Sequence, residues 1–239
     1  MNVAVFRPDD ERLARAETLL ADLGVEAVAD PMLAVEPTGA TPREDADYVV
    51  LTSKTGAKLV GDAGWNPRDA AVCAIGSATA DALRAAGYAV DLVPEEFSST
   101  GLVEALAPDA AGTRIEVARS DHGSDVLTDG LNDAGAYVHE TVLYRLVRPE
   151  GSGHSVDLAA AGDLDGACFT SSLTVEHFLD AAAARGNREA ALAGLNDAVV
   201  GCIGAPTRET AESLGITVDV VPDTAEFEAL ARAVVDELS

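Results

Sequence analysis

Positive charge is scarce in this chain. Its 239 residues include only two lysines, Lys54 and Lys58, and fourteen arginines, against 41 Asp and Glu, for a formal net charge of −25. That balance disfavours a nucleic-acid partner, because phosphates are bound through lysine and arginine. The acid is spread along the whole chain rather than gathered in one block, so it reads as a solvated carboxylate surface of the halophilic kind, expected at molar salt. Long apolar runs are also missing: nothing approaches the ~18–20 residues of a membrane span. The opening MNVAVFRPDD enters a strand-like run without a basic region or a cleavage site. A soluble, cytoplasmic protein with no membrane partner is expected.

Cysteine is sparse too. Cys73, Cys168 and Cys202 lie singly in apolar runs, with no CxxC and no Cys/His ligand spacing, so buried thiols are expected and no metal site. No GxGxxG or GxxxxGK[ST] loop, GxSxG elbow or HExxH pair occurs, which leaves no nucleotide, flavin or metal cofactor to expect. His122, His139, His154 and His177 are scattered and read as surface residues.

What the chain does have is alternation. Short apolar runs at 3–6, 25–28, 48–52, 71–75, 89–93, 114–118, 137–142, 167–170, 199–203 and 217–221 are separated by segments of helical period. Strands alternating with helices predict an α/β fold with doubly wound parallel sheets. Asp10 opens a helix that ends near Gly24, and Ser77 to Thr79 open one that ends at Gly87. The chain also repeats itself. Residues 71–94, AVCAIGSATADALRAAGYAVDLVP, align without a gap on residues 199–222, VVGCIGAPTRETAESLGITVDVVP, at an offset of 128. Ile75, Gly76, Thr79, Gly87, Val90, Asp91, Val93 and Pro94 each meet an identical residue. Segments 49–60 and 167–178 correspond as well, as do 2–24 and 114–135, which implies an internal duplication with its boundary near Pro108–Thr113. Each half then supplies one small flavodoxin-like lobe.

In such sheets ligands bind beyond the carboxyl ends of the strands, where helix N-termini present unpaired N–H groups. Hydroxyls recur at these points: Thr52-Ser53, Ser77 and Thr79 after Gly76, Ser98-Ser99, Ser171-Ser172, and Thr207 after Gly204. Any one of them can be a plain N-cap. Five together suit a ligand with several carboxylates. Lys54 and Lys58, one helical turn apart behind Ser53, add charge, although a solvated pair is the plainer alternative. Tyr144, beside Arg145 and Arg148, is either a packed core residue or a phenol facing a cleft.

With these residues on the page the chain resembles the uroporphyrinogen-III synthase family. The likeness rests on VFRP at 5–8 with Arg7, the LTS turn ending at Ser53, AIGSATADAL at 74–83, VPEEFSSTGLVEAL at 93–106, VLYR at 142–145, FTSS at 169–172 and CIGAPTRETAESLG at 202–215. It implies two flavodoxin-like lobes joined by a two-stranded linker near 33–38 and 143–149, with residues 1–35 and 148–239 in one lobe and 36–147 in the other. It implies no cofactor and a substrate, hydroxymethylbilane, that carries eight carboxylates. Closure of this linear tetrapyrrole, with loss of water and inversion of ring D, gives uroporphyrinogen III for heme, siroheme or cobalamin. A monomer in transient contact with hydroxymethylbilane synthase is implied too. By the same resemblance Tyr144 matches the family's cleft tyrosine, a proton donor, while Ser53, Ser171 and Thr207 match its strand-end hydroxyls. The loop at 120–124, basic in many members, is neutral to acidic here. A two-lobed module that binds an anionic ligand, or an inactive regulatory homologue, is the alternative.

The charge makes a prediction. At ~0.1 M salt, where the Debye length is about 10 Å, the global field should repel a polyanionic substrate, whereas at ~1 M it reaches only about 3 Å. KM should therefore fall or hold as KCl rises from ~0.1 to ~2 M. A steady rise, with the circular dichroism spectrum unchanged, would show that net charge does not govern encounter.

Overall fold

The computed structural model describes residues 1–238. Strand β1 (Asn2–Val5) shows how its sheets are built: Val3 and Val5 face one side, Ala4 and the following Phe6 the other, and all four are fully buried. A strand apolar on both faces belongs in a parallel sheet covered by helices on both sides. The chain divides into two units, Met1–Ala34 with Val147–Ser239, and Val35–Leu146.

In the first unit the order is β2 (Glu26–Ala29), β1, β8 (Gly166–Phe169), β9 (Val199–Cys202), and every pair is parallel. Helices α1 (Glu11–Asp22) and α10 (Phe227–Glu237) pack on one face. The other face carries α6 (His154–Ala161), α7 (Ser172–Ala184), α8 (Arg188–Asp197) and α9 (Ala205–Ser213). Helix α1 buries only Leu13, Ala16 and Leu20, and its start is fixed by Asp10, whose carboxylate accepts the Arg12 N–H at 2.8 Å. Such a cap contributes about 1 kcal/mol. Phe6 stacks on Phe169 at 4.4 Å between centroids, and Phe178 meets both edge-on at 5.7 and 6.0 Å. This aromatic cluster holds the ends of β1 and β8, where Arg7 and Ser171 leave the sheet.

The second unit has the order β3 (Ala34–Pro37), β7 (Tyr137–Val147), β6 (Arg114–Ser120), β4 (Tyr48–Leu51), β5 (Ala71–Ala74), with β7–β6, β6–β4 and β4–β5 parallel. One face is covered by α2 (Lys54–Asp62) and α3 (Ser77–Ala85), the other by α4 (Ser99–Ala110) and α5 (Asp125–Asp133). The result is a mixed α/β protein dominated by parallel sheets. Pro108 lies inside the last turns of α4.

Two expected strands are reduced to single bridges. Leu92 pairs only with Cys73, and Val220 only with Gly201, at the same offset of 128. In both places an aspartate replaces a ladder carbonyl: Asp91 accepts the Val72 N–H and Asp219 the Val200 N–H, each at 2.8 Å. Pro94 and Pro222 follow closely and have no N–H to continue the ladder.

The three cysteines are free and fully buried, as their apolar runs suggest. Burial pushes each thiol up to about 12. No helix among the described residues is long and apolar enough to cross a membrane.

Candidate active site

Parallel strands end together, so in each unit the segments leaving the carboxyl ends gather at one edge. In the second unit β4 leads through Thr52-Ser53 into α2 and β5 through Ile75-Gly76 into α3. In the first, β1 leads to Arg7, β8 through Thr170-Ser171 into α7, and β9 through Ile203-Gly204 into α9. The hydroxyls at these edges are of two kinds.

The first kind is occupied by the protein itself. Ser53 caps α2 by accepting the Gly56 N–H at 2.9 Å, and Ser98 caps α4 by accepting the Gly101 N–H at 2.9 Å. Ser171 caps α7 through the Thr174 N–H at 3.3 Å. Ser172 donates to the Pro206 carbonyl at 3.1 Å and accepts from Thr210 Oγ1 at 2.9 Å, tying α7 to α9. Its one proton is therefore spent on packing, and Ser172 is not the open donor that the sequence suggests.

The second kind is open. Helices α3 and α9 begin at Gly76 and Gly204, neither of which has a side chain to cap the first N–H groups; α9 has one fewer of them, because its second residue is Pro206. Both glycines are extended, at φ −172° and −174°, so neither is required by the backbone angle. Just inside each helix sits a threonine, Thr79 or Thr207, that is 4% exposed and whose hydroxyl makes no hydrogen bond among the described residues. No fully buried side-chain polar atom lacks a partner among the described residues, so these hydroxyls keep a surface open to solvent. Uncapped N–H groups beside an unused hydroxyl form an anion site with the helix dipole behind it. Ser77, Ser99 and Thr52, at the same edge of the second unit, likewise make no side-chain hydrogen bond among the described residues.

The cations sort in a similar way. Most arginines are ion-paired, for example Arg12 with Asp10 and Arg232 with Glu228. Lys54 and Lys58 are exposed on α2 and, like Arg7 and Arg145, make no ion pair among the described residues. Arg7 lies 4.7 Å over the ring of Phe227, and its pKa is lowered by partial burial and by the charge of Arg12. A guanidinium stays charged regardless.

Tyr144 is 6% exposed, and its hydroxyl donates to Ser53 Oγ at 2.9 Å. Ser53 thus accepts two hydrogen bonds, from Tyr144 and Gly56, and its own proton is given to no acceptor among the described residues. Tyr144 is packed in the core, and its hydroxyl touches the strand-end edge only through Ser53.

Sequence reasoning missed Arg119. The loop at 120–124 has no lysine or arginine, yet Arg119, at the end of β6, is 4% exposed and held by Glu140 and the Ser124 carbonyl. A Cβ on Gly123 would stand 2.3 Å from Arg119 Cδ, so the glycine makes room for an arginine that braces the loop from inside. His139 is not a plain surface residue either: its Nδ1 lies 2.8 Å from the buried carboxylate of Glu116. Both border a cavity of about 310 Å³ with Arg43, Arg114 and Tyr137, at the amino ends of β6 and β7, away from the helix N-termini.

A polycarboxylate site at strand ends is a chemical class rather than an identity, and the identity comes from kinship. The sequence model of the uroporphyrinogen-III synthase HemD family matches residues 14–232. The chain belongs to the uroporphyrinogen-III synthase family. A Methanothermobacter thermautotrophicus relative whose name places it in the same family is 31% identical, the match covering 90% of each chain. The uroporphyrinogen-III synthase of Chlorobaculum parvum is 25% identical over 72% of this chain and 69% of its own. The fold is similar to that of a mutant uroporphyrinogen III synthase from Thermus thermophilus, with a TM-score of 0.68 at 19% identity, covering 98% of this chain and 96% of that one. It is similar also to the uroporphyrinogen-III synthetase of Helicobacter pylori, with a TM-score of 0.65 at 13% identity, covering 99% and 98%.

In this family setting the Tyr144–Ser53 bond makes a prediction. Tyr144→Phe should keep the fold and slow the family's cyclisation by about 10–1000-fold, the scale of a lost proton donor. A wild-type rate in single-turnover assays would remove Tyr144 from the reaction.

Proposed function

We propose that this protein closes hydroxymethylbilane to uroporphyrinogen III. The observation that carries the reading is the pair of uncapped helix N-termini at Gly76 and Gly204, each with an unused threonine hydroxyl, in a member of this family. Each unit offers one such edge to a carboxylate. Arg7 in the first unit, and Lys54, Lys58 and Arg145 in the second, are cations that their own acidic surroundings leave available.

The chemistry needs little from side chains beyond placement. The ring A hydroxymethyl group leaves as water once its oxygen is protonated, giving an electrophilic azafulvene. The substituted carbon of ring D attacks it to form a spiro intermediate, whose fragmentation and reclosure invert ring D. A proton for the departing hydroxyl can come from Ser53, which is re-supplied by Tyr144 at 2.9 Å. Holding the linear chain folded and its charges fixed supplies the rest of the acceleration.

Several finer points belong to the same proposal. The matching aspartate bonds at Val72 and Val200 support an origin by internal duplication. We take residues 33–38 and 143–149 as the linker of two flavodoxin-like lobes, with residues 1–35 and 148–239 in one and 36–147 in the other. We take the protein to act in the cytoplasm as a monomer without cofactor, receiving its substrate from hydroxymethylbilane synthase.

The purified protein, given hydroxymethylbilane and followed by oxidation and isomer separation, should yield isomer III in excess of the isomer I that forms spontaneously. Isomer I alone, from folded protein, would falsify the reading.

A further inference from the structure

Phe97 is the one phenylalanine that is not buried. Phe6, Phe169 and Phe178 are fully enclosed and Phe227 is 9% exposed, whereas Phe97 is 61% exposed and makes no ring–ring contact among the described residues. Exposure alone is common here, with Tyr137 70% and Val126 51% exposed; a role for Phe97 needs a distinctive placement.

Its surroundings supply one. A Cβ on Gly76 would lie 3.0 Å from Cγ and 3.3 Å from Cδ2 of Phe97, so the ring rests directly on the glycine that opens α3. The backbone angle at Gly76 suits any residue; the ring is what crowds a side chain there. The turn that carries Phe97 is clamped. Ser98 N–H donates to the Glu96 carbonyl at 2.8 Å, Ser98 Oγ donates to the Glu96 carboxylate at 2.7 Å, and Gly101 N–H donates to Ser98 Oγ at 2.9 Å. A Cβ on Gly101 would fall 2.1 Å from the Glu96 carbonyl oxygen, so the turn closes only over glycine. The ring is thereby presented at the glycine where the uncapped N-terminus of α3 begins.

The flanking residues restrict what can dock on it. Glu95 and Glu96 are exposed and repel carboxylates, and the Ser98 hydroxyl is spent on its own turn. Over residues 95–98 the turn therefore offers a ligand an apolar ring face and no free side-chain donor or cation of its own. The position 128 residues later is Ala225, and a Cβ on Gly204 would meet nothing closer than 4.0 Å. The α9 edge has no such surface, so an apolar platform is particular to the α3 edge.

We propose that Phe97 is a substrate-binding residue, its exposed ring stacking on one pyrrole of the linear tetrapyrrole while the α3 N-terminus and Thr79 hold a carboxylate of that pyrrole. This rests on the function proposed above. Aromatic contacts of this kind prefer offset or edge-on geometry and are sensitive to loss of the ring more than to its substituents.

The experiment compares wild type with Phe97→Ala, Phe97→Leu and Phe97→Trp, measuring KM, kcat and isomer ratio on hydroxymethylbilane, with circular dichroism to confirm folding. Phe97→Ala and Phe97→Leu should raise KM by about 3–10-fold with kcat little changed, and Phe97→Trp should restore a KM close to wild type. An unchanged KM in folded Phe97→Ala, or a loss that Phe97→Trp does not restore, overturns the inference while leaving the function intact. Wild-type protein that makes no isomer III overturns both.

Discussion

A helix that follows a strand in a parallel sheet begins with N–H groups that none of its own carbonyls can satisfy. The protein meets this constraint in two ways. Where Ser53, Ser98 and Ser171 stand at the cap, the helix is closed by its own side chain. Where Gly76 and Gly204 stand there, the donors stay open, and the adjacent threonines keep their hydroxyls unused. Open and closed ends stand side by side along each edge, and the open ones are where an external anion replaces the missing cap. In the first unit aromatic packing under β1 and β8 supports that edge, and in the second the Tyr144–Ser53 bond does.

Electrostatics works against the proposed ligand everywhere except at that edge. With 41 acidic residues, most cations have an acid within reach, and Arg12, Arg84, Arg114, Arg208 and Arg232 are all paired. Exposed pairs of this sort contribute little to stability. What matters is which cations escape pairing. Seven do among the described residues, Arg7, Arg43, Lys54, Lys58, Arg145, Arg148 and Arg188, and of these Arg7, Lys54, Lys58 and Arg145 lie on segments that run to the carboxyl ends of strands or start from them. Arg119 shows the opposite use of a cation, drawn inside to brace a loop that carries no lysine or arginine of its own.

Much of this was legible in the sequence, because short apolar runs, N-cap residues and the gap-free repeat can be read from the chain itself. The strand–helix order, buried thiols, the hydroxyl-bearing turns and the family resemblance all follow from them. The shortened strands at 89–93 and 217–221 were not legible, since their apolar pattern is intact and only the side-chain bonds of Asp91 and Asp219 end them. Nor could the sequence distinguish an occupied hydroxyl from an open one. Ser172 and Thr207 look alike as residues after a strand, and only the approach of Pro206 and Thr210 to Ser172 separates them. Phe97 reads as one more apolar residue until its exposure and its contact with Gly76 are known.

The central claim, that the open helix ends at Gly76 and Gly204 bind substrate carboxylates whereas the cap at Ser171 serves its own helix, is tested most directly by comparing Thr79→Val and Thr207→Val with Ser171→Ala. The two threonine variants should raise KM by roughly 10–100-fold at unchanged stability, the scale of a hydrogen bond to a charged group. Ser171→Ala should lose about 1 kcal/mol of stability with KM unchanged. Threonine variants with wild-type KM, or a Ser171→Ala variant that loses substrate affinity instead of stability, would contradict the account.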